Sequence, residues 1–146
     1  MIYFKAIDVE LPDIDKTKLS TWVNQTILDE KQKAGQVFFL FTSDEFLYGM
    51  NKRFLDHDYL TDIITFNNSL MNGLISGELY ISIDRVKDNA TVNQLDFYIE
   101  LYRVMIHGIL HLLGYNDKNQ SEQKIMREKE NNYLGLLDLK TRKTAR

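Results

Sequence analysis

Two histidines four residues apart, His107 and His111, lie in the run His107-Gly108-Ile109-Leu110-His111-Leu112-Leu113-Gly114-Tyr115-Asn116-Asp117. On a helix this spacing puts both imidazoles on one face, about 6 Å apart along the axis. Both rings can then reach one metal ion at about 2.0–2.1 Å. Gly114 lets the chain reverse, and Asp117 can swing back to offer a carboxylate oxygen as third ligand. Two histidines and one carboxylate leave a fourth position for water, the layout of a catalytic zinc site. The competing reading is a pair of core histidines. Yet the helix is apolar nearly all round, with Leu101, Val104, Met105, Ile106, Ile109, Leu110 and Leu112. Two unpaired imidazoles buried there would cost about 1–3 kcal/mol each, a cost that coordination removes. The expectation is one Zn(2+) per chain, held by His107, His111 and Asp117.

The spacing H-x-x-x-H-x-x-G-x-x-D is also that of the metzincin peptidases, which carry a glutamate directly after the first histidine. That glutamate activates water for attack on the peptide. Here the position is Gly108, which cannot take a proton, so the sequence argues against peptidase chemistry by that route.

Composition narrows the options further. The chain has 146 residues, 44% of them apolar and 27% charged, which suits a globular fold and not a disordered one. Without cysteine, disulfide frameworks, iron–sulfur clusters and thiol chemistry are excluded, and only histidines and carboxylates remain as strong metal ligands. A net charge of −3 excludes a strongly basic nucleic-acid binder but leaves room for a nuclease with local basic patches. No apolar run reaches the length of a membrane span. The N-terminal residues lack the pattern of a secretion signal. A cytoplasmic protein without membrane contact is expected.

The elements that must position the histidines are readable from periodicity and caps. Residues 2–9 read as a strand with Ile2, Phe4, Ala6 and Asp8 on one face. Leu19, Trp22, Val23, Thr26 and Ile27 recur at helical spacing over about 15–32, with Gly35 as the stop. Val37-Phe38-Phe39-Leu40-Phe41 is a central strand. Ser43 caps a helix to about Phe54, whose inner face is Phe46, Leu47, Met50 and Phe54. Strands at 62–66 and 78–83 flank a turn-rich loop and form a long-looped hairpin. Helices follow at about 84–93, 95–113 and 120–134, the last capped by Asn119. The order β-α-β-α-β-β-α-α-α predicts an α+β domain over 1–137, a small mixed β-sheet of about four strands with helices packed on it. Residues 138–146 form a basic tail of charge +3, leaving −6 for residues 1–137; the tail is expected to be mobile.

At this point the sequence resembles a known family. The pattern H-G-x-L-H-L-x-G-Y-D-H marks the YbeY metal-dependent endoribonucleases. His107, Gly108, Leu110, His111, Leu112, Gly114 and Tyr115 agree with it. Asn116 stands for the family's aspartate and Asp117 for its third histidine, a change that keeps a metal-competent group and adds negative charge. Upstream, Asn51, Phe54, Asp58, Thr61 and Asp62 match a second family pattern, and Gly77-Glu78-Leu79 a third. The matches run from about Leu47 to Leu134. The arginine that the family places in the upstream pattern falls on Leu55. Arg53 lies about 200° away on a helix and reads equally well as a solvated surface residue, so no catalytic arginine is transferred.

The resemblance implies a zinc-dependent, single-strand-specific endoribonuclease in ribosomal RNA maturation and ribosome quality control, with ribosomal RNA and the ribosome or its small subunit as partners. RNA carries its own 2′-hydroxyl nucleophile, so a glutamate base is not required. Asp62 and Glu78 are open as base or as supporting carboxylates, against the plainer reading of strand-end charges facing solvent. Positive charge for RNA is expected at Lys52 and Arg53, Arg85 and Lys87, Arg127 and Lys129, and in the tail. Tyr48, Tyr59, Tyr80 and Tyr115 are possible base-stacking residues. Three rivals stand beside this reading: a metallohydrolase for a non-RNA substrate, a non-catalytic ribosome-assembly factor with a structural metal, and a metal-free scaffold. No catalytic acid or base and no oligomeric state is assigned.

Overall fold

Ser43, Ser82, Asp96 and Asn119 each accept a backbone N–H just before a helix, and these caps set where the chain turns from strand or loop into helix. The computed structural model describes residues 1–137, so the basic tail at 138–146 lies outside the described residues. The elements are β1 (Ile2–Ala6), α1 (Lys16–Asp29), β2 (Lys33–Thr42), α2 (Asp44–Leu55), β3 (Ile63–Asn67), β4 (Leu74–Ser82), α3 (Ile83–Val92), α4 (Phe97–Leu112) and α5 (Gln120–Gly135). This is the predicted order, and the fold is the predicted α+β arrangement.

The sheet has the order β1-β2-β4-β3. β1 and β4 run parallel to β2, and β3 pairs antiparallel with β4 as the predicted hairpin. Alternation along β2 and β4 turns Val37, Phe39, Phe41, Ile75, Leu79 and Ile81 to one face. There they join Leu101, Met105, Ile109 and Leu112 of α4 and Leu19, Val23 and Ile27 of α1 in the core. α2 covers the other face, where the Phe46 ring stacks on Tyr80 at 6.5 Å between centroids.

Gly108 sits where α4 presses on this sheet. A Cβ there would run into the Leu79 side chain and come within 2.7 Å of Ile63 Cδ1. A glutamate at this position would have to enter the sheet core and not a cleft. Close helix-on-sheet packing therefore also favours glycine over the peptidase base here, since Leu79 and Ile63 would have to shift for any larger residue.

Four elements depart from the sequence expectation in a boundary or a buried face. β1 stops at Ala6, because Asp8 leaves the sheet and accepts the Ser43 backbone N–H at 2.8 Å. α1 ends at Asp29, with Lys31 in the left-handed region at φ 68°, and Gly35 lies inside β2, not at the helix end. Pairing with β4 from Lys33 onward draws this segment into the sheet. Phe54 is exposed, and Asn51 takes the inner position of α2, its Nδ2 donating to the Tyr59 carbonyl at 2.9 Å. β4 starts at Leu74, so Glu78 is a mid-strand residue.

Candidate metal centre

The C-terminal end of α4 carries His107 and His111 one turn apart, and Gly114 follows it with φ 108°. The Gly114 N–H donates to the His111 carbonyl and the Tyr115 N–H to that of Leu110, both at 3.0 Å. This pair of bonds is a Schellman ending. It reverses the chain and lays Asp117 back over the helix face. The Asn119 cap of α5 follows at once, and Gln123 donates to the Asp117 carbonyl at 3.1 Å. Asp117 is thus held between two local motifs.

The three side chains converge. Nε2 of His107 and Nε2 of His111 are 3.0 Å apart, and Asp117 Oδ2 is 3.3 Å from each. A tetrahedral shell with bonds of about 2.0–2.1 Å has edges of about 3.3–3.4 Å. The donor triangle fits that geometry, and nitrogen and carboxylate oxygen are donors that zinc accepts. Among the described residues it is the only group of three or more such side chains close enough to share an ion. The side chains keep 24%, 26% and 40% of their surface exposed, so the centre is open on one side.

A fourth residue, absent from the sequence expectation, completes the site. Glu130 of α5 brings Oε2 to 2.6 Å from His107 Nδ1. Its Oε1 accepts from Arg103 Nη1 at 3.0 Å and lies 3.5 Å from Arg127 Nη1. Burial works against the Glu130 charge, but the bonds from His107 and Arg103 outweigh it and hold this carboxyl below its ordinary value. Burial likewise opposes the charged form of His107, and the Glu130 bond and the nearby negative charges reverse that, so this imidazole lies above its ordinary value.

Sequence signals for these partners exist. Met126, Glu130, Tyr133 and Leu134 form the buried stripe of α5, so Glu130 is an acid at a core position. Arg103 lies four residues before His107, on the same face of α4.

A pocket of about 180 Å³ opens beside His107, lined by Asp62, Glu100, Arg103, Arg127 and Glu130. Asp62 therefore faces this pocket beside His107, on the Glu130 side of the ring, and not bulk solvent. Burial pushes its carboxyl up, and the neighbouring His107 only partly offsets that. Glu78 is on the opposite face of β4 from Leu79 and accepts from Tyr80 Oη at 3.1 Å. The two carboxylates that looked alike in sequence thus part company, one in the cleft and one behind the sheet.

The remaining sequence nominees are mostly committed elsewhere. Arg53 lies 5.9 Å from the Phe54 ring in a groove with Phe46 and Tyr80, on the α2 side of the sheet, and is not brought to His107. Leu55 is exposed. Arg85 is paired with Asp44 and Asp88. Lys87 sits over Phe97. Lys129 is paired with Glu30 and lies over Tyr115, whose hydroxyl also donates to Glu30. Tyr48 is bonded to Asp58, and Tyr59 stacks on His57, the third histidine, away from the other two. Arg127 keeps 62% of its side chain exposed at the rim of the His107 pocket. No helix among the described residues is long and apolar enough to cross a membrane.

Comparison with known proteins bears on this geometry. A family model described as Endoribonuclease YbeY matches residues 5–138. A protein of Cytophaga hutchinsonii named Endoribonuclease YbeY is 46% identical over 135 residues, covering 92% of this chain and 94% of its own. A protein of the same name from Parabacteroides distasonis is 44% identical over 136 residues, covering 93% and 95%. The solution structure of TM1509 from Thermotoga maritima superposes with a TM-score of 0.68 at 27% identity, covering 99% of this chain and 93% of that one.

Proposed function

The chain belongs to the YbeY endoribonuclease family, and from that premise we propose a zinc-dependent endoribonuclease that cuts single-stranded RNA. In this reading His107, His111 and Asp117 hold one Zn(2+). The observation that carries it is the donor triangle, with edges of 3.0, 3.3 and 3.3 Å, on a site left open to solvent. A structural zinc site is closed by four protein ligands, whereas this one offers three and an accessible face. The bound ion would supply Lewis acidity toward a phosphate oxygen and a lowered water pKa.

The chain's own residues do the rest. The Schellman turn and the α5 cap hold Asp117 against the histidine pair. Arg127 at the pocket rim offers an exposed guanidinium to an RNA phosphate. Asp62, half-buried in the pocket beside His107, would be the carboxylate that exchanges a proton in this reading. Ribosomal RNA on the ribosome or its small subunit, in maturation and quality control within the cytoplasm, is the proposed setting.

Metal per chain, measured by plasma mass spectrometry on untagged protein, tests this together with cleavage of a single-stranded RNA. About one zinc in the wild type, none in His111→Ala, and cleavage lost with the metal is the expected result. A folded wild type that neither holds nor takes up zinc sinks the reading. Leu55, exposed where the family places an arginine, favours a second reading, a ribosome-assembly factor with a structural metal. That reading predicts unfolding on metal removal and ribosome association without cleavage.

A further inference from the structure

Histidine has two ring nitrogens, and only one tautomer presents a lone pair at Nε2. The three converging donors need that tautomer at His107, and nothing in α4 alone selects it. We infer that Glu130 is a positioning residue for the metal centre, fixing the His107 ring with its Nδ1–H donated inward, and that Arg103 holds Glu130 in place. The inference rests on the metal reading above and adds to it a support that spans two helices.

The geometry is specific. Glu130 is 4% exposed, and a buried carboxylate is costly unless its oxygens are satisfied. Each oxygen has a separate partner. Oε2 takes the His107 Nδ1–H at 2.6 Å, and Oε1 takes Arg103 Nη1 at 3.0 Å. Arg103 and His107 are one turn apart on α4, so the carboxylate of α5 is gripped at two points of one helix face. It can neither rotate away from the ring nor slide along it. A carboxylate on the far nitrogen of a metal-bound histidine fixes ring orientation and makes the ligating nitrogen more basic, and loss of such a partner typically weakens metal binding 10- to 100-fold. The docking of α5 is thereby part of the metal centre, although α5 contributes no donor atom to the triangle.

The alternative is that Arg103 and Glu130 only fasten α4 to α5. Zinc affinity separates the two. It is measured by chelator competition on the full chain for wild type, Glu130→Gln and the double variant Arg103→Met with Glu130→Met. Far-UV circular dichroism and thermal unfolding of the zinc-free forms accompany it. Replacing a buried ion pair by apolar groups of similar size is often neutral for stability, so the double variant is expected to fold. Its zinc affinity should fall about 10- to 100-fold. Glu130→Gln keeps an acceptor for Nδ1 and should fall between it and wild type; it decides alone if the double variant does not fold. Zinc affinity equal to wild type in the folded variants overturns this inference and leaves the metal reading intact. A wild type that binds no zinc overturns both.

Discussion

Among the described residues, two arginine–carboxylate pairs join neighbouring helices, and they end in different places. Arg85 of α3 donates to Asp44 of α2 at 2.7 Å, and the other Asp44 oxygen accepts from Ser82, the residue that caps α3. Arg103 of α4 donates to Glu130 of α5 at 3.0 Å, and the other Glu130 oxygen meets His107. Both arginines have a buried Nε without a hydrogen-bond partner. The pair chemistry is the same. What differs is the last contact, a helix cap in one case and an imidazole of the candidate metal centre in the other. An ion pair between helices therefore has no role of its own; the group on the carboxylate's second oxygen assigns it.

The contrast is broken most severely by removing the imidazoles themselves. His111→Ala should take zinc from about one per chain to near zero. RNA cleavage should fall at least about 100-fold, since the metal's Lewis acidity is worth several kcal/mol. Asp44→Ala should do the opposite, costing about 1–3 kcal/mol in urea unfolding while zinc content stays at the wild-type level. Zinc lost from the Asp44 variant would erase the distinction between the two pairs.

A pH series sharpens the same contrast. Burial raises the Asp44 carboxyl, but the bonds from Arg85 and Ser82 outweigh it, so the folded value lies below the ordinary 3.8. Its contribution is complete above that unfolded value and is lost as pH falls through the lower folded one. Urea stability of the wild type should therefore drop below about pH 4 more steeply than that of Asp44→Asn. Equal slopes would contradict the pairing. The smallest effect is expected at the rim of the site. Arg127→Ala should weaken single-stranded RNA binding a few-fold and reduce the salt slope by about 0.7, with zinc affinity unchanged. A variant that loses zinc instead would place Arg127 with Glu130 as support for His107.

Much of the frame was legible from the chain. Ser43 and Asn119 cap helices as expected, and Gly114 adopts the positive φ its place after α4 predicts. Each of these depends on residues within one turn of one another. The errors came where a distant partner decided. Asp8 left β1 for the Ser43 cap, 35 residues away. Gly35 joined β2 because β4 pairs beside it. On α2, Asn51 took the inner position expected of Phe54.

The sequence by itself determined the histidine pair, the turn after it and the carboxylate that returns, because helical periodicity and a glycine at the helix end are local properties. It also excluded a peptidase base at Gly108. Only the tertiary structure decided that Asp62 faces His107 while Glu78 lies behind the sheet, and that Glu130, 23 residues from His107, closes on its ring. Those relations cross elements. They are set by which faces pack together; spacing along the chain marks Glu130 as an acid on a buried stripe but not the ring it meets.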